Sequence, residues 1–139
     1  MKLFVPIVMA ASVLLASSAS AQEDQRLTDA KAAATAWLAL IDTGKYADSW
    51  TQSASVFHTA VTQENWQQTG NQVRTPLGAL TSRSLKSAQW THTLPGAPDG
   101  DYVVIEYATT YANKANAMET VIPMRDKDGT WKVGGWFVR

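Results

Sequence analysis

YVVIEYATTYANKANAMETVIPMRDKDGTWKVGGWF, Tyr102 to Phe137, holds three apolar runs separated by two polar interruptions. A strand sends successive side chains to opposite faces, so a period of two is its signature. Val103, Ile105, Tyr107, Thr109 and Tyr111 share one face of a first strand over 102–112. Met118, Ile122 and Met124 line one face of a second, and Trp131, Val133 and Phe137 one face of a third. A two-residue turn at Asn113-Lys114 pairs Ile105 with Ile122, Val103 with Met124, and Thr109 with Met118. Asp128-Gly129 is a strong hairpin dipeptide, and a turn there pairs Met124 with Val133 and Ile122 with Gly135. The two turns agree in gathering Ile105, Ile122 and Val133 on one side. A slip of one residue would send each set to the other face. This spacing predicts an antiparallel meander.

The same register puts Tyr102, Val104, Glu106, Ala108, Glu119, Val121, Trp136 and Val138 on the second face. That face is too apolar for simple solvation. It calls for a cover: a second subunit, a loop or a ligand. An earlier strand precedes the three, because Lys86, Ala88, Trp90, His92 and Leu94 alternate with polar residues. Between it and Tyr102 stands LPGAPDG (94–100), whose glycines lie between strands with no helix following. A phosphate loop needs helix amides aimed at the anion, so this segment reads as a tight, proline-stiffened hairpin connection.

The first half of the chain is helical. Ala30, Ala34, Trp37, Leu38 and Ile41 recur at helical spacing over 29–43, with Thr28 as the expected N-cap after a loose lead-in, 22–27. Gly44 stops this helix. KYADSW opens a second, short helix with Tyr46 and Trp50 on one face, and Val56, Phe57, Ala60 and Val61 resume an apolar stripe. Thr62 caps a further helix carrying Trp66 and Val73, which Pro76 ends. The expected fold class is α+β: N-terminal helices packed on a curved antiparallel sheet of about four strands.

The first 21 residues stand apart. MKLFVPIVMAASVLLASSASA has one basic residue, an apolar run, and the small-x-small ending Ala19-Ser20-Ala21. This is the pattern of a signal peptide cut between Ala21 and Gln22. The run is short for a bilayer span, which needs about 20 apolar residues, so no stable membrane anchor is expected. Residues 22–139 form a single domain, with a periplasmic or secreted location. Without Lys2 the chain carries eleven basic and twelve acidic residues, a balance with no electrostatic footprint for nucleic acid. There is no cysteine, so stability rests on packing, to which six tryptophans bring large buried areas.

No catalytic set is legible. His58 and His92 are the only histidines and have no zinc-ligand spacing. Asp126-Lys127-Asp128-Gly129 begins like a calcium loop but lacks the closing glutamate. No serine stands in G-x-S-x-G. No metal and no cofactor are expected. Glu106 and Glu119 interrupt apolar strands, with Glu119 facing Ala108 and diagonal to Glu106. Paired carboxylates in an apolar setting can split their pKa values and serve acid-base chemistry; equally, they can be salt-bridged, for example to Arg74, Arg83 or Lys132. Arg83, Glu106, Tyr107 and Glu119 are the candidate ligand-binding residues.

GKYADSW (44–50), Trp66, RTPLG from Arg74, Arg83, LPGAPDGDYVVIEY, Ala112-Asn113-Lys114, ETV-x-PM from Glu119 and DKDGTWKVGG together resemble an exported bacterial family, the domain of unknown function 4019. The resemblance covers nearly the whole chain after the leader and brings no catalytic residue to transfer. The order of helices and curved sheet, ending D-G-x-W-x-V, looks more distantly like the NTF2-like or cystatin-like roll. That roll hosts isomerases, dehydratases and many pocketed or dimeric proteins without chemistry, so it chooses no activity. The resulting expectation is a non-catalytic ligand- or protein-binding domain, a homodimer through the second sheet face. The alternatives are a pocket enzyme (lyase, isomerase or hydrolase) using Glu106 or Glu119, and an accessory subunit of an envelope complex.

Overall fold

A computed structural model describes residues 12–139. Four helices, α1 (Ser12–Asp42), α2 (Tyr46–Thr51), α3 (Ser55–Ala60) and α4 (Gln63–Leu77), precede four strands. The strands β1 (Leu80–Thr91), β2 (Tyr102–Tyr111), β3 (Lys114–Arg125) and β4 (Trp131–Val138) form one antiparallel sheet in chain order. The α+β class and the meander are as the sequence reads.

The first helix is longer than its periodicity suggests. It runs unbroken through 22–27, so that segment is not a loose lead-in and Thr28 is not an N-cap. The Thr28 hydroxyl instead donates to the Asp24 carbonyl one turn back. The upstream residues, rich in alanine and leucine, are themselves helix formers and carry the helix past the expected start. The leader's first eleven residues lie outside those described; Ala21 and Gln22 are exposed helical positions. At the other end Gly44, at φ 74°, closes a Schellman motif in which Gly44 N–H donates to Ile41 and Lys45 N–H to Leu40. Thr62 caps α4 as expected, accepting from the Asn65 amide. The start of α3 is capped from afar: Asp126, in the β3–β4 turn, accepts from both the amide and the hydroxyl of Ser55.

The helices cover one face of the sheet. Ala30, Ala34, Trp37, Leu38 and Ile41 of α1 are buried there, as their spacing predicts. Trp37, Phe57, Trp66 and Trp136 pack as a cluster with ring centroids 4.8–6.4 Å apart. Their polar handles are satisfied within the core: Trp37 Nε1 donates to the Ser49 carbonyl and Ser53 Oγ, and Trp66 Nε1 to Ser49 Oγ. Trp50 stacks on His58, and its Nε1 donates to the Val61 carbonyl.

The register of β2 on β3 differs from the expected one by a single residue. Ile105 pairs with Val121, not Ile122, and Thr109 with Ala117, not Met118. The turn falls at Ala112-Asn113 because the α4–β1 connection grips it. Ala112 N–H donates to the Ala79 carbonyl, Asn113 N–H to Leu77, and Asn113 Nδ2 to Pro76. On β4, Ile122 does pair with Gly135, but a bulge at Gly134 then pairs Pro123 with Val133 and Met124 with Lys132. Glu119, Val121, Trp136 and Val138 therefore face the helices with Ile105 and Val133. Ile122, Met118 and Met124 turn to the opposite face, beside Tyr102, Val104, Glu106 and Ala108.

Candidate functional site

Two features stand out, a charged cluster under the helices and an apolar hollow on the other side of the sheet. The cluster forms because Arg83 on β1 and Glu119 on β3 flank Thr109 on β2, all on the inner face. The end of α1 brings Asp42 over them, and the end of α4 brings Arg74. Arg83 is a fork: Nε donates to Glu119 Oε1 at 2.7 Å, while Nη1 and Nη2 donate to the two Asp42 oxygens at 2.7 and 3.0 Å. Arg74 Nη1 donates to Asp42 Oδ1 at 2.8 Å, and its guanidinium lies 4.8 Å above the Tyr111 ring. Glu119 also accepts from Thr109 Oγ1 and from Trp136 Nε1.

Two cations and two anions thus meet with no net charge. The Glu119 side chain is 0% exposed and that of Arg83 13%. Burial alone would raise the Glu119 carboxyl, but hydrogen bonds from Arg83, Trp136 and Thr109, with the Arg83 charge, overcome this and hold it below its ordinary value. Burial pulls Arg83 down, and its bonds to Asp42 and Glu119 more than restore it, so its pKa is raised. Tyr111 and Tyr107 are both raised, first by burial and then by the Glu119 charge, with nearby arginine charge opposing. A carboxylate so stabilised, with both oxygens filled by donors, is a poor general base. What the cluster does is tie the ends of α1 and α4 to all four strands.

Arg83, Tyr107 and Glu119 are therefore brought together, but Glu106 is not with them. It lies on the opposite face, opposite Thr120 and 3.8 Å from Arg139. The expected diagonal of Glu106 and Glu119 across one face does not exist, because the one-residue shift of β3 moves Glu119 inward. Sequence reasoning missed Asp42 and Trp136 as partners of Arg83 and Glu119: Asp42 lies in no motif, and Trp136 reads with Glu119 as part of the second face rather than of the one under the helices.

The second feature is a cavity of about 290 Å³ on the outer face. Its floor is Gly134-Gly135 with Ile122 and Met124, one wall is Leu94–Pro98, and Val56 and Phe137 stand at the rim. A Cβ at position 134 would come within 2.9 Å of Met124 Sδ, so glycine there is what lets Met124 pack down against β4 in the floor. LPGAPDG does connect two paired antiparallel strands, as expected, but less tightly. It belongs to a longer loop over 92–101, tied by Gly100 N–H to the His92 carbonyl, and it covers Tyr102, whose hydroxyl donates to Pro98. Part of the apolar outer face thus has the loop cover that the sequence calls for. No carboxylate, amine, imidazole or guanidinium lines the cavity.

Residues 33–136 match the family described as "Protein of unknown function (DUF4019)". No curated protein and no solved structure matches the chain.

Proposed function

The chain belongs to the DUF4019 family of proteins of unknown function, and from that premise we propose an exported, non-catalytic binding domain whose site is the outer-face cavity. One observation carries the reading. The strongest electrostatic cluster is internally neutralised and largely buried, whereas the accessible hollow is lined mainly by apolar side chains, with no carboxylate or basic group and with the one phenol, Tyr102, already donating to Pro98. The fitting ligand is a neutral apolar group, a short chain or a ring, since a buried charge there would find no partner. A volume of about 290 Å³ lies at the small end of ligand sites. An enzyme drawing on Glu106 and Glu119 together gains nothing from this geometry, because the sheet separates them.

Export to the periplasm or the medium is part of the proposal. Residues 18–25 of α1 are exposed, and burial begins only at Arg26 and Leu27. Cleavage after Ala21 would leave Glu23 and Asp24 in the first turn of the shortened helix, where its dipole favours acids. Among the described residues no helix is long and apolar enough to cross a membrane.

The test is titration with N-phenyl-1-naphthylamine, a neutral apolar fluorophore, followed by fluorescence and by melting temperature. Saturable binding with a raised melting temperature is expected, and Gly134→Val, which fills the floor, should abolish it. Absence of saturable binding, or equal binding by Gly134→Val, removes the cavity as the site.

A further inference from the structure

The geometry points to a second copy of this chain as the partner at the cavity, each copy's Phe137 entering the other's hollow. This rests on the reading of the cavity as a binding site and names its occupant. Among the described residues, Phe137, Val56 and Leu85 are the large apolar side chains left exposed, at 58%, 42% and 48%. Two of these three, Phe137 and Val56, stand on the rim of one cavity.

A two-fold interface pairs a surface with itself, so knob and hole must lie on the same face. Here they do. Phe137 is an aromatic side chain of the type that anchors interfaces; it is 58% exposed, with the near edge of its ring over Gly135.

The surrounding face suits a copy of itself in charge and size. Charged side chains on this face engage one another: Lys132 donates to Asp128 at 3.2 Å, and Glu106 and Arg139 lie 3.8 Å apart. Without the leader the chain carries eleven basic and twelve acidic residues, so copies approach with little repulsion. Four strands of about ten residues at strand spacing present roughly 650 Å² in projection. With the relief of side chains, this approaches the ~800 Å² that each partner buries in a specific interface. The loop 92–101, Met118, Ile122 and Met124 would then leave water on dimerisation.

Sedimentation equilibrium of the purified full chain, with and without the fluorophore, is the experiment. The wild type should be a dimer, and Phe137→Glu should weaken association at least about thirtyfold while keeping the wild-type circular dichroism. Gly134→Val should lose both association and fluorophore binding, and saturating fluorophore should shift wild type toward monomer. A wild type that stays monomeric at about 100 μM, or a Phe137→Glu variant as dimeric as wild type, overturns the inference. If the fluorophore still binds in that case, the cavity function stands and only the partner assignment falls.

Discussion

Replacing Glu119 with glutamine tests whether the sealed cluster is charged and structural. Glutamine keeps the shape but offers one acceptor oxygen and an NH2. Glu119 receives Arg83 Nε and Thr109 Oγ1 on Oε1 and Trp136 Nε1 on Oε2. Either orientation of the amide sets its N–H groups against a donor. Arg83 also loses one of its two anions, leaving the cluster with an excess buried positive charge. Breaking a buried ion pair by removing one partner costs about 3–5 kcal/mol. Against a typical total of about 5–15 kcal/mol, that is a large fraction, equivalent to a fall of about 10–20 °C in melting temperature for a domain this size. The pH dependence sharpens the test. The folded carboxyl lies below its ordinary value of 4.5, so between the two values the unfolded chain binds more protons than the folded one. Its stabilisation is complete above pH 4.5 and is lost as pH falls through the folded pKa. Urea unfolding followed by tryptophan fluorescence, at pH 7 and at steps below 4.5, should show a wild type that weakens with acid more steeply than Glu119→Gln. A loss under about 1 kcal/mol at pH 7, with an unchanged acid slope, would mean that Glu119 is neither buried nor ionised as described.

Arg83→Lys keeps the positive charge but not the fork, so it can serve Asp42 or Glu119 but not both. A loss of about 2–3 kcal/mol in urea unfolding is expected, with the acid dependence of Glu119 retained; a neutral outcome would refute the bridging geometry. Gly70→Ala should run against the usual helix trend. Alanine inside a helix ordinarily gains about 0.5–1 kcal/mol, but a Cβ here would sit 2.7 Å from Tyr46 Cδ1. The ring must move, at about 1–3 kcal/mol, so the urea midpoint should fall, and a rise would show that α2 does not press on α4.

How far the sequence reveals this protein depends on which force chose each detail. Helix ends set by local chemistry are readable: Gly44 closes α1, and Thr62 caps α4, because each motif needs only its own neighbours. The start of α1 is not readable from a cap alone, since a threonine inside a favourable helix simply bonds the carbonyl one turn back. The β2–β3 register fails for a different reason. Val121 and Ile122 are adjacent and both apolar, so either can oppose Ile105, and hydrophobic alternation weighs the two registers almost equally. The natural tie-breaker, a charged residue, points the wrong way, because Glu119 belongs outside unless something pays its desolvation. Arg83 does so, supported by Thr109 and Trp136, and Arg83 is held in turn by Asp42, 77 residues before Glu119 along the chain. The hairpin tip adds a second distant constraint, since Ala112 and Asn113 are bonded to the end of α4 and the segment after it. Both constraints act through space, so no local window contains them. Their consequence reaches the functional face: turning Glu119 inward turns Ile122 and Met124 outward, and only then do VGGWF and LPGAP enclose a cavity. The buried ion pairs and the apolar hollow are thus two sides of a single register choice.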